Sequence, residues 1–175
     1  MPEQATGAHT GQLRTPLPPE MRRVLGHFCT GVAVITAHDG QRPLGFTCQS
    51  VTSVSLDPPY ISFCPATTST SWPRIRQVGT LCVNVLSERQ QDVCAQFAAR
   101  GADKFAGLGW LPGVNGAPAL EGTLASIEAE VEFEHAAGDH TIVVARVTGL
   151  QAHEERRPLL FYRGGYGGFD GDRHA

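Results

Sequence analysis

From Leu124 to Phe133 the chain alternates between apolar and acidic residues. Ile127, Ala129, Val131 and Phe133 fall on one side, and Glu128, Glu130, Glu132 and Glu134 on the other. A period of two predicts a long β-strand with one face on a core and one face in water. After a turn near Gly138, His140 to Leu150 pairs back as a second long strand. Shorter strands are expected at Val32–Ala37, Pro43–Cys48, Thr52–Leu56, Tyr60–Cys64, Leu81–Leu86 and Leu159–Tyr162. Asp39-Gly40 is a hairpin signal, and Asp57-Pro58-Pro59 interrupts any ladder because its prolines lack N–H groups. Helices are predicted at Glu20–Phe28, with Met21, Val24, Leu25 and Phe28 on one face, and at Ser69–Val78. A third follows Ser87, with Gln90 in the capping-box position, Val93, Cys94, Phe97 and Ala98 as its buried stripe, and Gly101 as its stop. Asp103 to Leu124 reads as an irregular loop. About seven strands in adjacent hairpins, with two or three helices, favour a closed or nearly closed antiparallel barrel over an open sheet.

Composition narrows the function. The 175 residues suit one domain, expected over residues 18–170 between an N-terminal tail, residues 1–17, and a short C-terminal tail, residues 171–175. A net charge of −3 without a basic face argues against a nucleic-acid partner. No apolar run reaches the roughly 18 residues of a membrane helix, and the N-terminus has no apolar signal core, so a cytoplasmic protein is expected. The five cysteines are odd in number and form no CxxC pair. Cys29, Cys64 and Cys82 sit beside apolar residues and read as small buried hydrophobes in a reducing compartment. The histidines show no metal-ligand spacing, so no metal site is expected.

Leu44 to Ser71 carries the strongest chemical signal. It is crowded with hydroxyls and small residues, and its only charge is Asp57. Thr47 and Ser50 bracket a strand end, and Ser53 and Ser55 alternate in the next strand. Thr67, Thr68, Ser69, Thr70 and Ser71 gather where a helix begins, and a helix N-terminus favours an anion. Such a segment suits a flat, polyhydroxylated, phosphorylated ligand of the flavin nucleotide type. No GxGxxG, Walker or GxSxG motif is present, and Gly164-Gly165-Tyr166-Gly167-Gly168 reads as a tail turn.

Several blocks resemble the flavin reductase-like family. They are Thr30-Gly31-Val32 with Val34-Ile35-Thr36, Thr47-x-x-Ser50, Ser53-Val54-Ser55-Leu56-Asp57-Pro58-Pro59, Val83-Asn84-Val85-Leu86, Phe97-Ala98, Asp103-Lys104-Phe105, Gly116-x-Pro118-x-Leu120 and Gly138-Asp139-His140. The resemblance spans roughly residues 20 to 168. It implies a mainly β protein, an antiparallel six-stranded split β-barrel of Greek-key type with two to three flanking helices, assembled as a homodimer with flavin near the interface. It also implies an NAD(P)H:flavin oxidoreductase that passes hydride from nicotinamide to flavin N5 and supplies reduced FMN or FAD to a partner monooxygenase. The alternatives are a flavoprotein that keeps its flavin and acts on an organic substrate, or a flavin-binding module without catalysis.

The resemblance also assigns residues. Thr47, Cys48, Gln49 and Ser50 would line the ring and ribityl chain, with Ser53, Val54 and Ser55 beneath. Cys64, Pro65, Ala66, Thr67, Thr68 and Ser69 would wrap the ribityl chain and phosphate, with Thr70 and Ser71 beyond. Lys104, the only lysine, and Phe105 would close the phosphate end. His140 is the candidate for nicotinamide positioning, and Tyr162, Arg163 and Tyr166 are weaker candidates for covering the nicotinamide or adenine. Val51 stands where the family commonly has an aromatic residue, Tyr60 where it often has Leu, and Gln49 is a large polar residue in the ring site. These departures leave FMN against FAD open. No arginine cluster for a 2′-phosphate is evident along the chain, which favours NADH, with NADPH the alternative.

Overall fold

The computed structural model describes residues 14–169 apart from residues 102 and 154. The expected tails fall outside these residues, except residues 14–17, where Arg14 pairs with Glu20. Helix α1 (Pro18–Leu25) leads into β1 (Thr30–Gly31) and β2 (Ala33–His38), which turns back into β3 (Pro43–Cys48). β4 (Thr52–Leu56) and β5 (Pro59–Phe63) form the next hairpin. Then come α2 (Trp72–Val78), β6 (Thr80–Val85), α3 (Gln91–Ala98) and the short hairpin β7 (Trp110–Pro112) and β8 (Pro118–Leu120). The long hairpin β9 (Ala125–Ala137) and β10 (His140–Ala152) precedes β11 (Leu160–Tyr162) and β12 (Gly165–Gly167).

Seven antiparallel strands, in the order β3-β2-β6-β9-β10-β5-β4, make the main sheet, one more than the six expected. One core takes Leu44 and Cys48 from β3 at one end together with Ile61 and Phe63 from β5 near the other. The sheet therefore curls on itself. β3 and β4 are not paired with each other, so the barrel is split along that seam. Trp72 of α2 plugs it from inside, its ring edge-on to Phe46 at 6.4 Å and Phe63 at 5.5 Å. β1, β11 and β12 form a side sheet, tied to the barrel where Leu86 donates to Val32 and Leu159 donates to Leu86.

Two buried polar or close contacts fix the rest. Asn84 Nδ2 donates to Thr36 Oγ1 (2.9 Å), and its Oδ1 accepts the Leu120 N–H (2.7 Å), which fastens the β7–β8 hairpin to the barrel. At Gly45 the Phe97 ring of α3 lies directly on the β3 backbone. A Cβ there would come within 2.6 Å of Phe97 Cε1 and 2.9 Å of the Ile35 carbonyl oxygen. The Gly45 carbonyl itself accepts from Ser71 Oγ (2.9 Å) and Lys104 Nζ (3.2 Å).

Several expectations need correction. The alternation in β9 breaks at a bulge: Val131 pairs with Ala145, but Phe133 pairs with Val144. An inserted residue swaps the faces beyond it. Phe133 thus turns outward, 48% exposed, and Glu134 turns inward against Arg76 at 2.7 Å. The first helix stops at Leu25, and none of its residues is buried. The second starts at Trp72, capped by Ser69 Oγ on the Trp72 N–H (3.1 Å). Ser87 and Gln90 do bond reciprocally, but in a turn ahead of α3, which begins only at Gln91. α3 ends at Ala98 because Ala99 is already extended, and Ala98 is exposed. The expected loop from Asp103 to Leu124 contains β7–β8, and the expected glycine-rich tail turn contains β12. Cys48, Cys82 and Cys94 are buried, but Cys29 is exposed and Cys64 half-buried.

Gly45→Ala is expected to lower stability by about 2–3 kcal/mol, because the Phe97 ring and a backbone oxygen both occupy the new methyl's space. In thermal unfolding this is a fall of roughly 5–10 °C. Adding Phe97→Leu should recover part of that fall; a purely additive double variant would show that the ring is not the obstacle.

Candidate functional site

A cleft of about 1640 Å³ opens at the end of the barrel where the split lies. Five separate stretches meet there: α1 and its exit as far as Ala33, the 48–52 link after β3, Val85, the Asp139–His140 turn, and the β11–β12 turn. The link from Gln49 to Val51, between β3 and β4, crosses the seam outside both strands.

Ser50 holds the seam. Its Oγ accepts the Cys64 N–H at 2.8 Å and lies 3.3 Å from Cys48 Sγ. The next stretch is tied to the other wall. Pro65 O accepts the Thr141 N–H (3.0 Å), Ala66 bridges to His140, and Thr67 donates both its N–H (2.9 Å) and its Oγ1 (3.0 Å) to the Asp139 carbonyl. Residues 48–50, 64–67 and 139–140 thus form one continuous frame. Burial pushes the Cys48 thiol up, so this sulfur stays a neutral thiol in the frame.

His140 Nδ1 lies 2.8 Å from Asp139 Oδ1. The imidazole holds the Asp139 carboxyl below the usual carboxylate range, by a hydrogen bond first and by its charge second; Arg22 adds a smaller push in the same direction. With Nδ1 committed to Asp139, Nε2 is the nitrogen left for a ligand.

The other expected residues fall in distinct places. Cys48, Gln49, Ser50 and His140 line the cleft. Thr47 is turned away, its Oγ1 donating to the Cys94 carbonyl at 2.8 Å. Ser53, Val54 and Ser55 lie on the edge strand β4 at a bulge, with Val54 54% exposed. Thr67, Thr68 and Thr70 are exposed beside the frame, while Ser69 is committed to capping α2 and Ser71 to Gly45. Lys104 Nζ donates to the Phe97 carbonyl (2.9 Å) and the Gly45 carbonyl (3.2 Å), and burial lowers its pKa. Phe105 is buried in the second core, its ring 5.0 Å from Phe97. Tyr162 packs edge-on to His27 at 6.5 Å. Tyr166 Oη meets Cys94 Sγ at 3.2 Å, which pushes the phenol up to about 12. Arg163 lines the cleft.

Sequence reasoning missed the α1 side of the site. Arg22, Arg23, His27 and Thr30 line the same cleft, and Thr30 Oγ1 is buried without a hydrogen-bond partner. No local pattern marks them; the β1–β11 pairing and the Arg163 N–H donating to Gly26 O (3.0 Å) bring these two distant segments together.

Comparison with known proteins fits this geometry. Residues 25–170 match the model of the flavin reductase like domain. The reductase subunit HsaB of a flavin-dependent monooxygenase from Rhodococcus jostii is 49% identical over 156 residues, 89% of this chain and 80% of that protein. A flavin reductase from Pseudomonas putida is 46% identical over 159 residues, covering 90% and 94%. The crystal structure of nitrilotriacetate monooxygenase component B from Mycobacterium thermoresistibile superposes with a TM-score of 0.84 at 48% identity, covering 89% of this chain and 88% of that one. The chain belongs to the flavin reductase-like family, and its barrel is the split barrel of that family.

Ser50→Ala removes the acceptor of the Cys64 N–H and loosens the seam. A hydrogen bond of this kind contributes about 1 kcal/mol, so the KM for flavin is expected to rise about fivefold. Steady-state kinetics at saturating nicotinamide nucleotide measures it; an unchanged KM would detach the seam from flavin binding.

Proposed function

We propose that this flavin reductase oxidises NADH, reduces a free flavin, FMN or FAD, and delivers the reduced flavin to a separate monooxygenase. The observation that carries the reading is the convergence of residues 48–52 and 139–140 on one cleft at the barrel seam, held together by residues 64–67. Those residues fit a flavin. Gln49, Ser50 and Thr52 offer amide and hydroxyl groups and the crossing link offers backbone N–H groups along the cleft, and outside it Thr68 and Thr70 are exposed hydroxyls that could meet a phosphate. When bound, the flavin supplies N5, the atom that takes hydride from the nicotinamide.

What this chain contributes is alignment. Asp139 engages Nδ1 of His140, which leaves Nε2 as the nitrogen free to hydrogen-bond the nicotinamide carboxamide. The Ser50, Pro65 and Thr67 bonds fix the distance between that histidine and the flavin wall. No side-chain acid or base is needed at the hydride step, and no cluster that could hold a metal occurs among the described residues.

The oligomer follows from what α1 exposes. Met21, Val24 and Leu25 of α1, and Phe28 just beyond it, are between 45% and 77% exposed beside the cleft. A second copy of the chain covers these residues in the proposed homodimer. No helix among the described residues is long and apolar enough to cross a membrane.

Two experiments test the reading. NADH and NADPH oxidation should be measured with FMN, FAD and riboflavin. Turnover with NADH that needs added flavin supports it; no flavin-dependent loss of either nicotinamide nucleotide would overturn it, and tightly held flavin would point to the flavin-retaining alternative. In the same assay His140→Ala should raise the KM for NADH about tenfold and that for flavin by less than twofold. Separately, sedimentation should show a dimer, and Phe28→Asp should shift it to monomer; a wild-type monomer would overturn the homodimer.

A further inference from the structure

Arg22 and Arg23 on α1 and Arg163 in the β11–β12 turn line one side of the cleft that holds His140. Arg163 is about 140 positions from the other two in the chain, and the β1–β11 pairing and the Arg163–Gly26 backbone bond bring them together. The approach is close: a Cβ on Gly26 would stand 3.8 Å from Arg163 Cα. None of the three guanidiniums makes a salt bridge among the described residues, whereas Arg74, Arg76 and Arg146 all do. Among the described residues Asp139 is the only acidic one lining the cleft; it bonds His140 and also feels Arg22, so one carboxylate faces three arginines. The cleft therefore carries an uncompensated positive charge in a chain whose net charge is −3.

Arg163 has a second peculiarity. Its φ is +49°, and it is the only described residue other than glycine with a positive φ. Together with Gly164 at +83° it makes a two-residue hairpin turn in which Asn or Gly is the unstrained choice at the first position. An arginine held in a disfavoured conformation at a cleft is the kind of outlier that points to a binding role.

We propose that Arg22, Arg23 and Arg163 form an anion site for the diphosphate of the nicotinamide dinucleotide. The inference rests on the reading of the chain as an NADH-dependent flavin reductase. The placement is consistent with that ligand. His140 Nε2 takes the nicotinamide end, and a diphosphate lies one ribose further along the same cleft. Guanidinium forks bind phosphate oxygens in pairs. Around α1, Arg22 and Arg23 lie about 100° and 200° from Met21, off the apolar face that Met21, Val24 and Leu25 share, so a second copy covering that face leaves them at its margin.

The test uses Arg163→Asn, because asparagine tolerates positive φ and the turn keeps its shape while the charge is lost, with Arg23→Gln as an independent second variant. The KM for NADH is expected to rise about five- to tenfold in each, more than kcat falls, with the KM values for FMN and FAD within twofold of the parent. ADP-ribose, which carries the diphosphate without the nicotinamide, should inhibit competitively against NADH and lose potency by a similar factor in both variants. The salt dependence of the NADH KM should be shallower in the variants than in the parent. Unfolding temperatures close to the parent's exclude a folding defect. Unchanged NADH KM and ADP-ribose inhibition would overturn the site. So would a rise confined to FAD, which moves the arginines to the flavin's own diphosphate, or one confined to NADPH, which moves them to a 2′-phosphate. If the parent protein showed no flavin-dependent NADH oxidation, the enzyme assignment would fall instead, and ADP-ribose binding measured by calorimetry would still judge the arginines.

Discussion

The barrel depends on one bare stretch of backbone. At Gly45 the Phe97 ring rests where any other residue would place its Cβ, and the same residue's carbonyl collects Ser71 from α2 and Lys104 from the loop after α3. Three segments, α3, the start of α2 and the loop after α3, are thereby set at fixed distances from β3. Since β3 ends at Cys48, where the link across the seam begins, the position of the proposed flavin wall follows from a ring-on-backbone contact about three residues earlier. Close packing of this kind transmits small displacements rather than absorbing them.

Lys104 shows how a residue can look like a ligand contact and serve the frame. A lone lysine beside a predicted phosphate site is an obvious candidate for charge pairing. In the structure its ammonium group is occupied by two backbone carbonyls, and burial weakens its hold on its proton. The positive charge that faces the cleft comes from arginines on the opposite wall, in a helix and a turn that sequence reading treated as packing and tail.

The strands were legible wherever a single local rule governs them. β3 and β4 fall where expected because Asp39-Gly40 and Asp57-Pro58-Pro59 leave little freedom at their ends. Residues 48–50 and 64–67 stood out in the sequence because hydroxyls and small residues are concentrated in one segment, and the structure ties them into one frame. What could not be read depends on long-range geometry. The bulge in β9 that exchanges Phe133 and Glu134 arises from how β9 meets β10, and the alternation itself gives no sign of it. The reach of Phe105 into the core is set by Phe97 and Trp110, not by its neighbours in the chain. Arg163 was a weak candidate in sequence, but its grouping with Arg22 and Arg23 could not be read there, because it depends on the β1–β11 pairing and the bond between residues 26 and 163.

The split between β3 and β4 has a consequence beyond ligand entry. Two free strand edges are a standing invitation to another chain's strand, and folded proteins suppress that pairing with short, twisted or irregular edges. β4 is five residues long, broken by a register shift at Val54, and bounded by the paired prolines Pro58 and Pro59. The irregularity that keeps the seam open also denies a foreign strand a straight ladder to extend. The opening is thus shaped to admit a flat ring and to refuse a backbone.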